Sequence, residues 1–206
     1  MKSLVSNLPN RLSLLRILLS PVFYFLIISQ NPILRQLSIL VFFVAAITDW
    51  YDGEIARNRR LVTKTGKFLD PLADKFLTSA AFLAFASLRY VDWWMVTIII
   101  IRDFVITLLR SLAESRGYDI VTSKAAQVKT FVQMTVLYYL LIVIVCQDVS
   151  WMRKDFGALF PALLNSRMIF IMMLCVTLFT ILTGVQYLYD TRAILPALFL
   201  RRKKKP

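Results

Sequence analysis

The sequence contains no histidine among its 206 residues. This absence excludes Ser-His-Asp and Cys-His nucleophilic catalysis, and it also excludes zinc or haem sites ligated by histidine. The two cysteines, Cys146 and Cys175, lie in apolar runs and form no disulfide framework. Chemistry in this chain must therefore rest on carboxylates, lysine, arginine, tyrosine or hydroxyl groups.

Internal repeats and low-complexity linkers are also missing, and most of what is present is apolar. Hydrophobic residues make up 58% of the chain, and the mean hydropathy is +0.66. This composition predicts a single all-α membrane domain over residues 1–206, with six transmembrane helices and a short interfacial helical segment at residues 11–16. A polar loop is expected at residues 150–166. The six predicted spans cover residues 17–28, 33–50, 68–88, 93–112, 125–146 and 168–188.

A formal charge of +13 accompanies this apolar composition. Because the lysines and arginines flank hydrophobic stretches, we expect anionic membrane lipids and phosphate-bearing substrates as partners, and no nucleic acid. The basic tail at residues 201–206 is interpreted as an anchor against anionic headgroups. The distribution of Lys and Arg between alternate loops predicts that both termini face the cytoplasm, with the chain in the cytoplasmic (inner) membrane.

Four aspartates lie between the second and third predicted spans. Asp49 and Asp52 are three residues apart, and Asp70 and Asp74 are four apart, so each pair shares one face of a helix. Four carboxylates in one place repel one another unless cations lie between them. Hard oxygen ligands suit Mg²⁺, Mn²⁺ or Ca²⁺, and paired metals of this kind serve the transfer of phosphorus groups. The alternative is a solvated helix face neutralised by neighbouring arginines and lysines.

The spacing of these aspartates matches a longer pattern, D-x2-D-G-x2-A-R-x8-G-x3-D-x3-D. Every fixed position over these 26 residues is filled, by Asp49, Asp52, Gly53, Ala56, Arg57, Gly66, Asp70 and Asp74. In this pattern the chain resembles the CDP-alcohol phosphatidyltransferase family of integral membrane enzymes. A complete eight-residue match is specific, and it favours the metal site over the solvated face.

The resemblance implies roles for the residues of this stretch. The donor would be CDP-diacylglycerol and the released product CMP. Two divalent cations, Mg²⁺ or Mn²⁺, would be held by Asp49, Asp52, Asp70 and Asp74, and Asp74 would also be the general base for the attacking hydroxyl. The residues expected around the cytidine nucleotide are Asp52, Gly53, Ala56, Arg57 and Gly66, with Thr48 and Lys67 as further candidates.

A second group of charges falls inside the fourth and fifth predicted spans, at Arg102, Arg110 and Lys129. Charges at membrane depth usually mark a pathway or a site. The segments NLPNRLSLLRILLSP and IIIIRDFVITLLR resemble the branch of the family that makes phosphatidylglycerophosphate. The resemblance implies that these three side chains bind the phosphate of sn-glycerol 3-phosphate.

Other interpretations of these charges stay open. Arg102 could be neutralised by Asp103 while Arg110 reaches the interface, and Lys129 could be a positive-inside anchor. The branch usually has G-K-x-K-T before the fifth span, whereas this chain has Ala126 and Gln127 in place of G-K. That departure leaves inositol phosphate, serine, choline or phosphatidylglycerol as alternative acceptors.

The resemblance also implies a homodimer, although no interface is recognisable in the sequence. A cation transporter and a structural scaffold are the rival classes. A transporter predicts acidic residues near the mid-plane of several spans. Here four of the twelve Asp and Glu residues lie instead at the ends of two consecutive spans, which favours the enzyme.

Overall fold

The computed structural model describes the backbone of residues 8–59, 64–118 and 123–192, and the side chains of residues 12–48, 69–118 and 123–192. These residues form eight helices and no strand, which confirms the all-α prediction. The helices are α1 (Leu8–Ile27), α2 (Pro32–Arg59), α3 (Lys64–Ser87), α4 (Trp93–Ser115), α5 (Lys124–Cys146), α6 (Ser150–Phe156), α7 (Phe160–Leu163) and α8 (Ser166–Thr191).

Local sequence signals set the ends of several helices. The Ser123 hydroxyl caps α5 by accepting a hydrogen bond from the Ala126 N–H at 3.2 Å. The Asn165 side chain caps α8 in the same way, accepting from the Arg167 N–H at 3.0 Å. After α4 the chain turns at Gly117, whose φ of +82° lies in the left-handed region that glycine adopts without strain. Short polar residues at the starts of α5 and α8 and a glycine after the end of α4 therefore mark the limits of these helices.

The core lies where the six long helices α1 to α5 and α8 meet, and it is built mainly from large apolar side chains. The almost completely buried side chains include, from α1 to α5 and then α8, Phe23, Phe42, Phe85, Ile99, Leu140 and Met173. The Phe23 and Phe42 rings pack with their centroids 5.2 Å apart. Each such side chain contributes about 1.5–3 kcal/mol relative to its exposed state.

The outside of the bundle is apolar as well. Phe25, Phe131 and Leu182 are 67%, 73% and 66% exposed, an arrangement that suits lipid better than water. Among the described residues, two helical stretches, Lys124–Cys146 and Phe160–Thr191, are long and apolar enough to cross a membrane, and the shorter apolar helices there are Leu12–Ile27 and Pro32–Thr48. The structure is consistent with a membrane protein, and the number of six spans stays a prediction.

The interfacial segment predicted at residues 11–16 is continuous with the helix of the first predicted span, because α1 runs without interruption from Leu8 to Ile27. Its position at the membrane interface stays a prediction. Another segment differs from the sequence-based expectation. The expected polar loop at residues 150–166 is largely helical, since it contains α6 and α7.

Helices α4 and α8 run in the same direction, and this arrangement positions the site. Their first turns line a common cavity through Met95 and Ile169. Further along, Arg102 of α4 donates a hydrogen bond from Nη2 to Thr183 Oγ1 of α8 at 2.9 Å. The second halves of both helices therefore lie side by side.

Candidate active site

Asp70 and Asp74 lie one turn apart on α3. Asp70 is half-buried, and its Oδ1 accepts a hydrogen bond from the Ser13 hydroxyl of α1. The Asp74 side chain is 34% exposed, and its Oδ2 accepts from Lys75 Nζ at 3.2 Å. The four-residue spacing places the two residues on the same face of α3.

Asp74 opens onto a cavity of about 400 Å³ bounded by four helices. Most of the residues that line it, from α3, α4, α5 and α8, are polar or charged. This wall brings Asp74 together with Arg102 and Arg110. The sequence predicts Asp74 for the metal site and the two arginines for a separate phosphate site. The described lining residues are Pro71, Asp74, Lys75, Arg102, Asp103, Ile106, Thr107, Arg110, Ser111, Glu114, Ser123, Ala126, Thr130, Thr183, Tyr187, Asp190 and Thr191.

A buried network of charges holds Arg102 at this wall. Arg102 Nη1 donates to Asp103 Oδ1 at 3.1 Å, and Asp103 is only 4% exposed. The same carboxylate accepts from Lys129 Nζ and, at 3.1 Å, from Gln133 Nε2. Lys129 is 2% exposed and is not among the described lining residues. The Lys129 ammonium thus lies behind the cavity wall, where it balances the charge of Asp103.

Arg110 occupies a more open part of the cavity. Its Nε donates to Glu114 Oε1 at 2.9 Å, and the two side chains are 43% and 41% exposed. An exposed i,i+4 pair of this kind is held by less than about 1 kcal/mol. The Arg110–Glu114 pair itself can therefore be broken at little cost.

Helix α8 forms the remaining wall with Thr183, Tyr187, Asp190 and Thr191. No role is predicted for these residues from the sequence. They follow the spacing i, i+4, i+7 and i+8, which marks one helix face. That spacing is visible in the sequence and could have indicated a polar face on α8. The helix that packs beside this face can be identified only from the fold.

The arrangement combines an acidic turn with arginines around one cavity, and the chain also matches a known protein family. The family model for CDP-alcohol phosphatidyltransferases matches residues 6–182. The chain belongs to the CDP-alcohol phosphatidyltransferase family.

Curated relatives in this family are similar to the chain over most of their length. A Bacillus subtilis protein named "CDP-diacylglycerol--glycerol-3-phosphate 3-phosphatidyltransferase" is 36% identical over 148 residues, covering 66% of this chain and 77% of that protein. A Rickettsia typhi protein of the same name is 37% identical, covering 67% and 78%. A Mycobacterium tuberculosis "Probable phosphatidylglycerophosphate synthase" is 36% identical, covering 63% of each chain.

The CDP-alcohol phosphatidyltransferase signature lies on two consecutive helices. Asp49, Asp52, Gly53, Ala56 and Arg57 fall within α2, and Gly66 and Lys67 fall within the first turn of α3. Their side chains lie outside the described residues, so the predicted four-carboxylate cluster is described only through Asp70 and Asp74. The Thr48 hydroxyl donates to the carbonyls of Val44 and Ala45, at 2.8 and 2.7 Å, within its own helix.

The N-terminal helix, which includes the predicted interfacial segment at residues 11–16, contributes buried contacts to the bundle. Ser13, Arg16, Ser20, Phe23 and Ile27 are buried and follow a 3-4-3-4 spacing, so they form one inward face of α1. Arg16 Nε donates to the Ala45 carbonyl oxygen at 3.3 Å. Through Ser13, this face reaches Asp70 of the family signature.

The described residues suit divalent metals. Asp70 and Asp74 present hard carboxylate oxygens on adjacent turns, and Asp74 borders a polar cavity. Ser13 donates to Oδ1 of Asp70, and a carboxylate offers about four lone-pair positions, which hydrogen bonds and metal ions can share. The chemistry of this donor pair fits Mg²⁺ or Mn²⁺ rather than zinc.

Proposed function

We propose that this protein transfers the phosphatidyl group of CDP-diacylglycerol to sn-glycerol 3-phosphate, giving phosphatidylglycerophosphate and CMP. The observation that carries the proposal is the cavity that joins Asp74 to Arg102 and Arg110. One wall offers a carboxylate to an attacking hydroxyl, and the other offers guanidinium groups to a phosphate. The names of the relatives at 36–37% identity agree with this pairing.

The reaction is a displacement at phosphorus. The primary hydroxyl oxygen of glycerol 3-phosphate forms a bond to the phosphorus that carries diacylglycerol. The bond between that phosphorus and the bridging oxygen breaks, and CMP leaves with that oxygen. Asp74 takes the hydroxyl proton, while Arg102 and Arg110 orient the acceptor through its phosphate. Orientation is a large part of the catalysis, because the acceptor is small and would otherwise rotate freely.

Two divalent cations complete the proposed site, with Asp49, Asp52, Asp70 and Asp74 as their ligands. When bound, Mg²⁺ or Mn²⁺ would neutralise the pyrophosphate and the charge that develops on the leaving phosphate. Ser13 orients the Asp70 carboxylate by donating to one of its oxygens.

The nucleotide is proposed to lie against the signature of α2 and the start of α3. Gly53, Ala56 and Gly66 would allow close approach of the cytidine moiety, and Arg57 would contact a phosphate. Thr48 and Lys67 are further candidates, as is Asp52.

The membrane arrangement belongs to the proposal too. Six spans would place both termini and the aspartate helices on the cytoplasmic side of the inner membrane, where CMP leaves into water. The chain is proposed to act as a homodimer among anionic lipids, as a single domain over residues 1–206.

The test is CMP release by the purified full-length protein with CDP-diacylglycerol and Mg²⁺ or Mn²⁺. Glycerol 3-phosphate, serine, inositol phosphate, choline and phosphatidylglycerol are compared as acceptors, and turnover with glycerol 3-phosphate is expected. Turnover with another acceptor alone would overturn the assigned acceptor. If no acceptor supports turnover and the protein conducts cations in liposomes, the assignment of an enzymatic function would be overturned.

A matched pair of variants tests the acidic site. Asp70→Asn should abolish CMP release while the fold is retained. Asp92→Asn is the control, because Asp92 is exposed in the α3–α4 turn and its side chain does not cap α4. Wild-type turnover in Asp70→Asn would refute the metal-site assignment.

A further inference from the structure

The α8 wall of the cavity carries a polar group that the proposed mechanism does not use. The hydroxyl oxygen of Tyr187 is buried, and among the described residues it has no hydrogen-bond partner. Tyr187 nevertheless lines the same cavity as Asp74 and the arginines. A buried hydroxyl without a partner is unfavourable in the free protein, because its interactions with water are lost and not replaced.

The helical geometry places Tyr187 between the two arginines. Thr183 contacts Arg102, and Tyr187 follows Thr183 by one turn, or about 6 Å along α8. Arg110 follows Arg102 by eight residues, or about 12 Å along the parallel helix α4. Along the helix axes, the backbone position of Tyr187 therefore falls between the levels of Arg102 and Arg110, and all three residues line the same cavity.

We infer that Tyr187 is an acceptor-binding residue whose hydroxyl donates a hydrogen bond to the acceptor phosphate between Arg102 and Arg110. This inference rests on the proposed function, because it needs a phosphorylated acceptor in the cavity. It extends the phosphate site from the arginines of α4 to a neutral donor on α8. The phosphate supplies the partner that the hydroxyl lacks among the described residues.

The inference predicts opposite signs for stability and affinity. Tyr187→Phe removes the hydroxyl and keeps the ring. Loss of an unsatisfied buried hydroxyl should leave the thermal midpoint unchanged or raise it, whereas loss of a hydrogen bond to a charged phosphate should raise the KM for glycerol 3-phosphate roughly tenfold. The KM for CDP-diacylglycerol should not change.

The experiment measures both KM values and thermal unfolding for the full-length wild type, Tyr187→Phe and Tyr189→Phe. Tyr189 is the matched control, because it lies on the same helix, is 61% exposed, and contacts Arg192 through its ring rather than its hydroxyl. Inorganic phosphate, added as a competitor of glycerol 3-phosphate, should lose potency in Tyr187→Phe by the same factor.

Each outcome is decisive. An unchanged KM for glycerol 3-phosphate in Tyr187→Phe would overturn the inference, and so would a rise of equal size in Tyr189→Phe. A loss of affinity that spares inorganic phosphate would overturn the assignment of the contact to the phosphate. Failure of the proposed function is distinct, since the wild type itself would then release no CMP with glycerol 3-phosphate.

Discussion

Replacing Lys129 by methionine separates a supporting role of this lysine from direct binding of the acceptor. Lys129 and Asp103 form an ion pair whose side chains are 2% and 5% exposed. Removing one partner of a buried ion pair costs about 3–5 kcal/mol, because the other charge is left without compensation. Arg102 still contacts Asp103 at 3.1 Å, so we expect the lower end, about 3 kcal/mol. For a chain of this size the thermal midpoint should fall by roughly 6–12 °C.

The same substitution should weaken acceptor binding without any contact between Lys129 and the acceptor. In the wild type, Lys129 balances Asp103 and leaves the charge of Arg102 available to a phosphate. In Lys129→Met, Arg102 becomes the only cation bonded to Asp103 among the described residues, and the KM for glycerol 3-phosphate should rise roughly tenfold. The double variant Asp103→Asn/Lys129→Met contains neither charge, so it should recover most of the stability and a KM within about threefold of the wild type.

Thermal unfolding of the purified protein and CMP release at varied glycerol 3-phosphate provide the two readouts. Lys124→Met is the control, since Lys124 is an exposed lysine at the start of the same helix. An unchanged thermal midpoint in Lys129→Met would refute the stabilising role of the buried Lys129–Asp103 ion pair. If the double variant keeps the high KM of the single one, Lys129 contacts the phosphate itself, as the sequence predicts.

Three further predictions concern other parts of the protein. A Cβ at Gly184 would lie 3.1 Å from Arg102 Cγ and 3.3 Å from its Nε, so Gly184→Ala should displace Arg102 and raise the KM for glycerol 3-phosphate roughly threefold; an unchanged KM would contradict this packing. Arg35 and Asp148 form a 2.8 Å ion pair outside the Asp74 cavity, so Arg35→Met should lower the free energy of unfolding by about 1 kcal/mol and leave both KM values unchanged, whereas a changed KM would show coupling to the site. Chelation by EDTA should abolish CMP release, and Mg²⁺ or Mn²⁺ should restore it; activity that persists in EDTA would exclude the proposed metals.

The sequence predicts those parts of the site whose residue types are unusual for their position. Asp70 and Asp74 stand out because paired carboxylates adjoin apolar helices, and Arg102 and Arg110 stand out because charges inside an apolar span are costly. The three- and four-residue spacings of the aspartates are also those of one helix face, which agrees with the helical conformation of α2 and α3. These residues can be selected from the sequence without knowing how the helices pack.

The remaining parts depend on how the helices pack, which the sequence does not specify. Thr183 and Tyr187 are ordinary polar residues near the end of a span, and only the neighbouring position of α4 gives them a role. Arg16 near the N-terminus is typical of an interfacial helix, yet the packing of α1 against α2 buries it to 1% exposure. The burial of Lys129 is likewise fixed by Asp103 on another helix.

The division of the site between helices bears on the choice of acceptor. The family signature lies on α2 and the first turns of α3, whereas most of the described cavity wall comes from α4, α5 and α8. Asp74 belongs to both, so the acceptor wall can vary while the phosphorus chemistry is preserved. Of the two residues that depart from the branch pattern, Ala126 lines the cavity with a single methyl group, and Gln127 is exposed and is not among the described lining residues. The departure therefore leaves Arg102, Arg110 and Tyr187 in place, which is compatible with glycerol 3-phosphate as the acceptor.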